Sequence, residues 1–331
     1  MLPEILDALG RANDEKTSGY GLDPYTEAAK EKIRKAVDDE NADVFFLVGG
    51  TQTNATVIDS LLLGCEGVIC VETGHIEVHE SGAVEAFGHK VIAIPSDNSK
   101  LAADTLSAYM DAFLNDETHP HMVQPGMVYI SMPTEFGMVY SKAELERLYA
   151  TCRKYDLRLF IDGARLGYGL MSEVCDYDLP FLARHCDVFY IGGTKVGAMF
   201  GEAVVFSGMK APKYFFTTVK RHGALLAKGR MLGLQFDTLF TDNLYFKASR
   251  HAINMAIRLR DIFARHGIAL AYDSPTNQQF VIFTPALYET LSKNVAFEIW
   301  ERKSEDEIIC RFVTSWATKE EELEKLEGLL G

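Results

Sequence analysis

The chain has 331 residues, 47% of them hydrophobic, a formal net charge of −14 and a pI of about 5.1, enough to bury one sizeable α/β unit and a smaller one beside it. So acidic a chain has no general attraction for phosphate backbones, which excludes nucleic acid as a partner. No apolar run reaches the roughly 18 residues of a membrane span, and the opening "MLPEILDALGRANDEK" lacks the basic-then-apolar pattern of a signal peptide, so no membrane partner is expected and the cytoplasm is the expected compartment.

In chain order, "YGLDPYTEAAKEKIRKAV" reads as a helix start, with Asp23 as N-cap and Pro24 at the first helical position. From about residue 44 to 206 a short apolar run, a turn and an amphipathic helix repeat. The candidate strands are "VFFLV", "GVICV", "KVIAIP", "MVYIS", "LRLFID", "DVFYIG" and "EAVVF". Several are apolar on both parities, as in a sheet covered by helices on both faces. "TQTNATVIDSLLL" and "SKAELERLYATCRKY" read as helices, the second with a capping box at Ser141 and Glu144. The expected class is doubly wound α/β. Beyond about residue 240 come a long helix, "NLYFKASRHAINMAIRLRDIFARHG", then "QQFVIFTP", "AFEIWER" and "IICRFVTSW", and a last helix expected to open at Thr318 with Glu321 as its capping partner. A helix followed by mainly antiparallel strands predicts a separate small α+β layer. The six cysteines (Cys65, Cys70, Cys152, Cys175, Cys186 and Cys310) have no CxxC spacing and read as reduced thiols, with no metal site expected.

Three places carry chemistry. After "VFFLV" the chain runs through Gly49, Gly50, Thr51 and Gln52 into a helix, which presents bare N–H groups and a positive dipole end, a seat for phosphate. Taken alone it is also an ordinary tight strand-to-helix turn, and it is neither a P-loop nor a dinucleotide fingerprint. In "LFIDGARLGYG", Asp162 ends an apolar strand and Arg165 follows three residues later; carboxyl ends of parallel strands are where open α/β sheets bind ligands. In "DVFYIGGTKVGAMF", Lys195 follows another such strand. An amine in an apolar setting gives up its proton readily and becomes a nucleophile suited to condensing with an aldehyde. Pyridoxal phosphate satisfies all three: phosphate at Gly50 and Thr51, ring nitrogen at Asp162, aldehyde at Lys195.

The ordered set "YGLDP" (Tyr20–Pro24), "GGTQTN" (Gly49–Asn54), "TGHIEVHESGA" (Thr73–Ala83), "DGAR" (Asp162–Arg165), "GGTK" (Gly192–Lys195) and "RFVTSW" (Arg311–Trp316) resembles the threonine aldolase and aromatic amino acid β-eliminating lyase group over nearly the whole chain. The resemblance implies pyridoxal phosphate as cofactor and the fold type I of aspartate aminotransferase. It further implies a large domain over 20–240 with a mostly parallel seven-stranded sheet, and a small α+β domain formed by 1–19 and 241–331. Lys195 looks like the residue that holds the cofactor's aldehyde, Asp162 the pyridinium partner and His75 the group stacked on the ring. Gly50, Thr51, Gln52 and Thr194 join the cofactor set, and Arg165 and Arg311 look like the cations near the cofactor and the substrate carboxylate. Lys228 or Arg230 would reach the phosphate from a neighbouring subunit, and Tyr20 would approach a partner's site, in a homodimer or homotetramer.

Two departures stand out. The family's polar substrate contacts upstream of "PEIL" are expected to be missing or supplied otherwise, because the chain begins at Met1. Where threonine-cleaving relatives carry a histidine for the β-hydroxyl, "SMPTEFG" carries Glu135, which weighs against threonine as the physiological substrate. The expected reaction is retro-aldol cleavage of a β-hydroxy-α-amino acid of the threonine, allo-threonine or phenylserine type to glycine and an aldehyde, with Glu135, His79 or a bound water as base. β-Elimination, or a degenerate protein that only binds the cofactor, are the alternatives.

Overall fold

Runs rich in Val, Ile and Phe pair as strands because branched and aromatic side chains fill a pleated, buried surface. In the computed structural model, which describes residues 1–96 and 98–331, seven such runs form one sheet: β1 (Asp43–Leu47), β2 (Glu66–Val71), β3 (Val91–Ile94), β4 (Gln124–Ser131), β5 (Arg158–Asp162), β6 (Val188–Gly192) and β7 (Glu202–Phe206). Their order is β1-β7-β6-β5-β4-β2-β3. Pairings from β2 to β6 are parallel, while β7 runs antiparallel to both β6 and β1. Every residue of β6 and β7 is buried, and separate apolar clusters pack on the two faces. The parallel strands therefore aim their carboxyl ends at one edge, and β7 brings its first residue to that same edge.

Four strands make the second sheet: β8 (Leu270–Tyr272), β9 (Gln278–Phe283), β10 (Glu298–Arg302) and β11 (Ile308–Val313), all antiparallel in the order β10-β11-β9-β8. Val281, Phe283, Cys310 and Phe312 pack against the helices Leu244–Arg265 and Glu320–Leu330. The alternate positions, among them Gln278 and Arg311, face the large sheet's ligand edge, as the period-2 geometry of strands requires.

The caps expected at Asp23 and Ser141 are present. Asp23 accepts from the Thr26 N–H at 2.9 Å, and Ser141 and Glu144 form the reciprocal box. The last helix differs. Its cap is Lys319, whose N–H donates to the Glu322 side chain at 2.9 Å, while the Thr318 hydroxyl is taken by the Ser315 N–H at 2.9 Å. Thr318 thus closes the preceding turn, which moves the helix start one residue on.

Residues 1–19, grouped with the small domain by resemblance, open with a helix that reaches the large-domain helices. The helix Pro3–Arg11 packs on the helix Arg230–Leu239, and the Leu2 N–H donates to the Gly197 carbonyl at 2.8 Å. Arg230–Leu239 in turn lies against Pro24–Val37 so closely that a Cβ on Gly233 would stand 2.6 Å from the Thr26 backbone nitrogen. Glycine is what lets those two helices touch. Among the described residues no helix is long and apolar enough to cross a membrane.

Candidate active site

At the carboxyl edge of the large sheet a cavity of about 840 Å³ opens toward the small sheet. The turn after β1 supplies Gly49, Gly50 and Thr51, the end of β4 supplies Ser131, and the end of β5 supplies Asp162. Lys195 rides on a single 3-10 turn, Thr194–Val196, between β6 and β7.

The cavity floor is a buried hydrogen-bond network centred on Asp162. Asp162 is only 4% exposed. Its Oδ2 accepts from the Tyr129 hydroxyl at 2.6 Å and from Asn54 Nδ2 at 3.0 Å, and its Oδ1 accepts from the Ala164 N–H at 2.9 Å and from the Tyr190 hydroxyl. Burial would raise its pKa, but the neighbouring His75 and these donors outweigh it and hold the carboxyl below its usual range, so Asp162 is ionised. Asn54 Nδ2 also donates to Glu80 Oε1 at 2.8 Å, and that oxygen lies 2.8 Å from His75 Nδ1. For His75 burial pulls the pKa down, yet Glu80 and Asp162 raise it overall.

Lys195 sits beside this network without an ion-pair partner among the described residues. Burial first, then the cations of Arg165 and Arg311, lower its pKa to about 8, which leaves an appreciable share of free amine near neutrality. Glu202, at the start of β7, is 3% exposed and accepts from the Thr194 hydroxyl at 2.9 Å and the Gly193 N–H at 3.2 Å; burial raises it to about 8. Glu135 accepts from the Ser131 hydroxyl at 2.6 Å and the His75 N–H at 3.0 Å, and burial raises it to about 7. Burial and the nearby Arg311 lower Arg165 to about 10, and it too has no acidic partner among the described residues.

Gly50, Thr51, His75, Glu135, Asp162, Arg165, Thr194, Lys195 and Arg311 all line this one cavity, as does His79. Gln52 does not: its Nε2 donates to the His222 carbonyl at 3.2 Å on the far side of the turn. Tyr20 and Lys228 lie outside as well. Tyr20 is 45% exposed, with its N–H on the Ala227 carbonyl at 3.1 Å and the Lys220 ammonium 4.9 Å from its ring centre, and Lys228 is exposed next to it. Arg230 is occupied, donating to the carbonyls of Glu15 and Asn13 at 2.5 and 3.3 Å. Asn54, Glu80, Tyr129, Tyr190 and Glu202 belong to the site and were not singled out in the sequence. Asn54 and Glu80 fall inside quoted motifs, and Glu202 shows as an acid opening an apolar strand. The two tyrosines look like ordinary core aromatics.

The donor set suits a flat anionic aldehyde such as pyridoxal phosphate. Free first-turn N–H groups follow Gly49, where neither glycine has a Cβ to block approach. A guanidinium and an amine without acidic partners among the described residues, and an ionised carboxylate, stand on the same walls.

A family model described as beta-eliminating lyase matches residues 2–286. The chain is 31% identical to the low specificity L-threonine aldolase of a Pseudomonas species, over 98% of this chain and 93% of that one. Among solved structures it matches the threonine aldolase of Leishmania major with a TM-score of 0.96 at 40% identity, over all of this chain and 95% of that one. A single mutant of Thermus thermophilus aspartate aminotransferase gives a TM-score of 0.70 at 15% identity, over 99% and 87% of the two chains, a likeness of fold type I alone.

Proposed function

The chain belongs to the beta-eliminating lyase family, and from that premise we propose that it is a pyridoxal-phosphate-dependent lyase that cleaves the Cα–Cβ bond of threonine-type β-hydroxy-α-amino acids to glycine and an aldehyde. The relatives named as threonine aldolases support the reaction. One observation of the chain's own geometry carries it: an amine with a lowered pKa, an ionised carboxylate and two guanidinium groups meet in one cavity.

The chemistry pyridoxal phosphate supplies when bound is an aldehyde that condenses with amines and a cationic ring that accepts the electron pair of a breaking bond at Cα. On this reading Lys195 holds and releases that aldehyde, and its lowered pKa makes the free amine available. Asp162, kept ionised by the neighbouring His75 and its hydrogen-bond donors, keeps the ring nitrogen protonated. His75 faces the ring, while Gly50, Thr51 and Thr194 hold the phosphate end. Gln52 joins them through its first-turn N–H, and its side chain braces the turn through its bond to the His222 carbonyl. Arg165 and Arg311 take the substrate carboxylate, for which a guanidinium is suited by its paired parallel donors. Glu135, with a pKa near 7, accepts the β-hydroxyl proton as the aldehyde departs. An acid raised to neutrality does here what a histidine would do, so a missing histidine is no obstacle to threonine.

We further infer a homodimer or homotetramer in which Tyr20 and Lys228 serve a neighbour's cavity; their exposure outside their own supports it. Six free thiols suit the reducing cytoplasm. The deciding experiment incubates the purified protein with threonine, allo-threonine and phenylserine. Equal amounts of glycine and aldehyde are expected, whereas ammonia with the matching 2-oxo acid, 2-oxobutyrate from threonine or phenylpyruvate from phenylserine, would replace cleavage by elimination.

A further inference from the structure

Arg311 reaches the cavity already holding an anion. In the register of β10 and β11, Glu298 stands directly opposite Arg311, and its carboxylate pairs with Nη2. Nη1 donates to Gln278 Oε1 at 3.1 Å, and the guanidinium lies 4.9 Å from the centre of the Trp300 ring. One donor, Nε, is buried with no partner among the described residues. The two ends of the pair are unequal. Arg311 has 18% of its side chain exposed, whereas Glu298 has 64% and sits on the outer strand of the small sheet. The arginine is therefore fixed in place and the glutamate is free to leave toward water. Across the cavity Arg165 has no acidic partner among the described residues, so an incoming carboxylate meets one unclaimed guanidinium and one claimed by Glu298. Two carboxylates crowded on Arg311 would repel each other.

We propose that Glu298 is a resident carboxylate that occupies Arg311 between turnovers and is displaced by the carboxylate of the arriving amino acid, so that it determines how tightly carboxylated ligands bind. The proposal rests on the assignment of Arg311 to the substrate carboxylate. It makes Glu298 a competitor of substrate, the reverse of a residue that orients Arg311 for it, and the two roles predict opposite signs.

The cofactor-loaded enzyme is titrated with glycine, followed through the cofactor's absorption, in the wild type, Glu298→Gln and Arg311→Gln. Methylamine, an amine without a carboxylate, is the control ligand. Glu298→Gln is expected to bind glycine about two- to fivefold more tightly, the worth of a partly exposed ion pair, with methylamine unchanged. Glycine affinity that is unchanged or weaker overturns the proposal, and so does equal tightening of both ligands. Arg311→Gln separates the two levels of the argument: it should weaken glycine by about tenfold or more. Undiminished glycine binding in that variant would mean that the carboxylate assignment itself has failed.

Discussion

The two walls of the cavity are built on opposite plans. On the large-sheet side Asp162, Asn54, Glu80 and both tyrosines are almost fully buried, and both Asp162 oxygens carry two donors each. On the small-sheet side Arg311 and Glu298 meet at a partly exposed cross-strand pair beside Trp300. A buried carboxylate with both oxygens hydrogen-bonded resists rearrangement, since each group removed strands another. A partly exposed pair is worth little and exchanges easily. The fixed wall thus suits a group that stays, and the exchangeable wall suits one that comes and goes with each turnover.

Four substitutions test that contrast, from the largest effect down. Lys195→Ala should abolish the long-wavelength absorption of the bound cofactor together with cleavage; a band that persists would disconnect this amine from the cofactor. Glu135→Gln should lower kcat by ~10²–10⁴-fold. Because the carboxyl loses its proton as the pH rises through about 7, wild-type kcat/KM should climb through that range, and the variant should lack that limb in a pH–rate profile. Asp162→Ala should destabilise the fold by about 3 kcal/mol in denaturant titrations, since it strands the hydroxyls of Tyr129 and Tyr190 in the interior. A loss well below 1 kcal/mol would mean that the fixed wall is softer than its bonding implies. Arg311→Lys should raise KM by about tenfold, with a smaller change in kcat, because a lysine cannot donate the paired bonds; a fall confined to kcat would place Arg311 in the bond-breaking step instead.

Asp162 of the fixed wall, and Lys195 beside it, could be read from the sequence, and the reason is local. Asp162 and Lys195 each follow an apolar strand, so the carboxyl-edge rule brings them to one side of the sheet before any contact is known. Strands such as "MVYIS" and "DVFYIG" announce themselves by composition. The hydroxyls of Tyr129 and Tyr190 do not, because their meaning lies in a carboxylate 33 and 28 residues away. Strand β8 escapes notice for a different reason: with three half-buried residues it has too short a pattern to register a period. Thr318 shows the limit of cap reading, since a hydroxyl that could cap a helix can as well close the turn before it. Tyr20 and Lys228 owe their place in the scheme to family likeness alone, and within one chain nothing brings them to the cavity.

The reversed direction of β7 has one more consequence. A parallel sheet returns its chain through a long crossover, so the stems of each connection lie at opposite ends of the strands. Lys195 instead occupies a short span whose two stems are neighbouring strands. The Gly193 and Thr194 N–H groups reach across it to the Gly201 carbonyl at 3.0 and 3.2 Å. The backbone that carries the reactive amine is therefore moored at both ends.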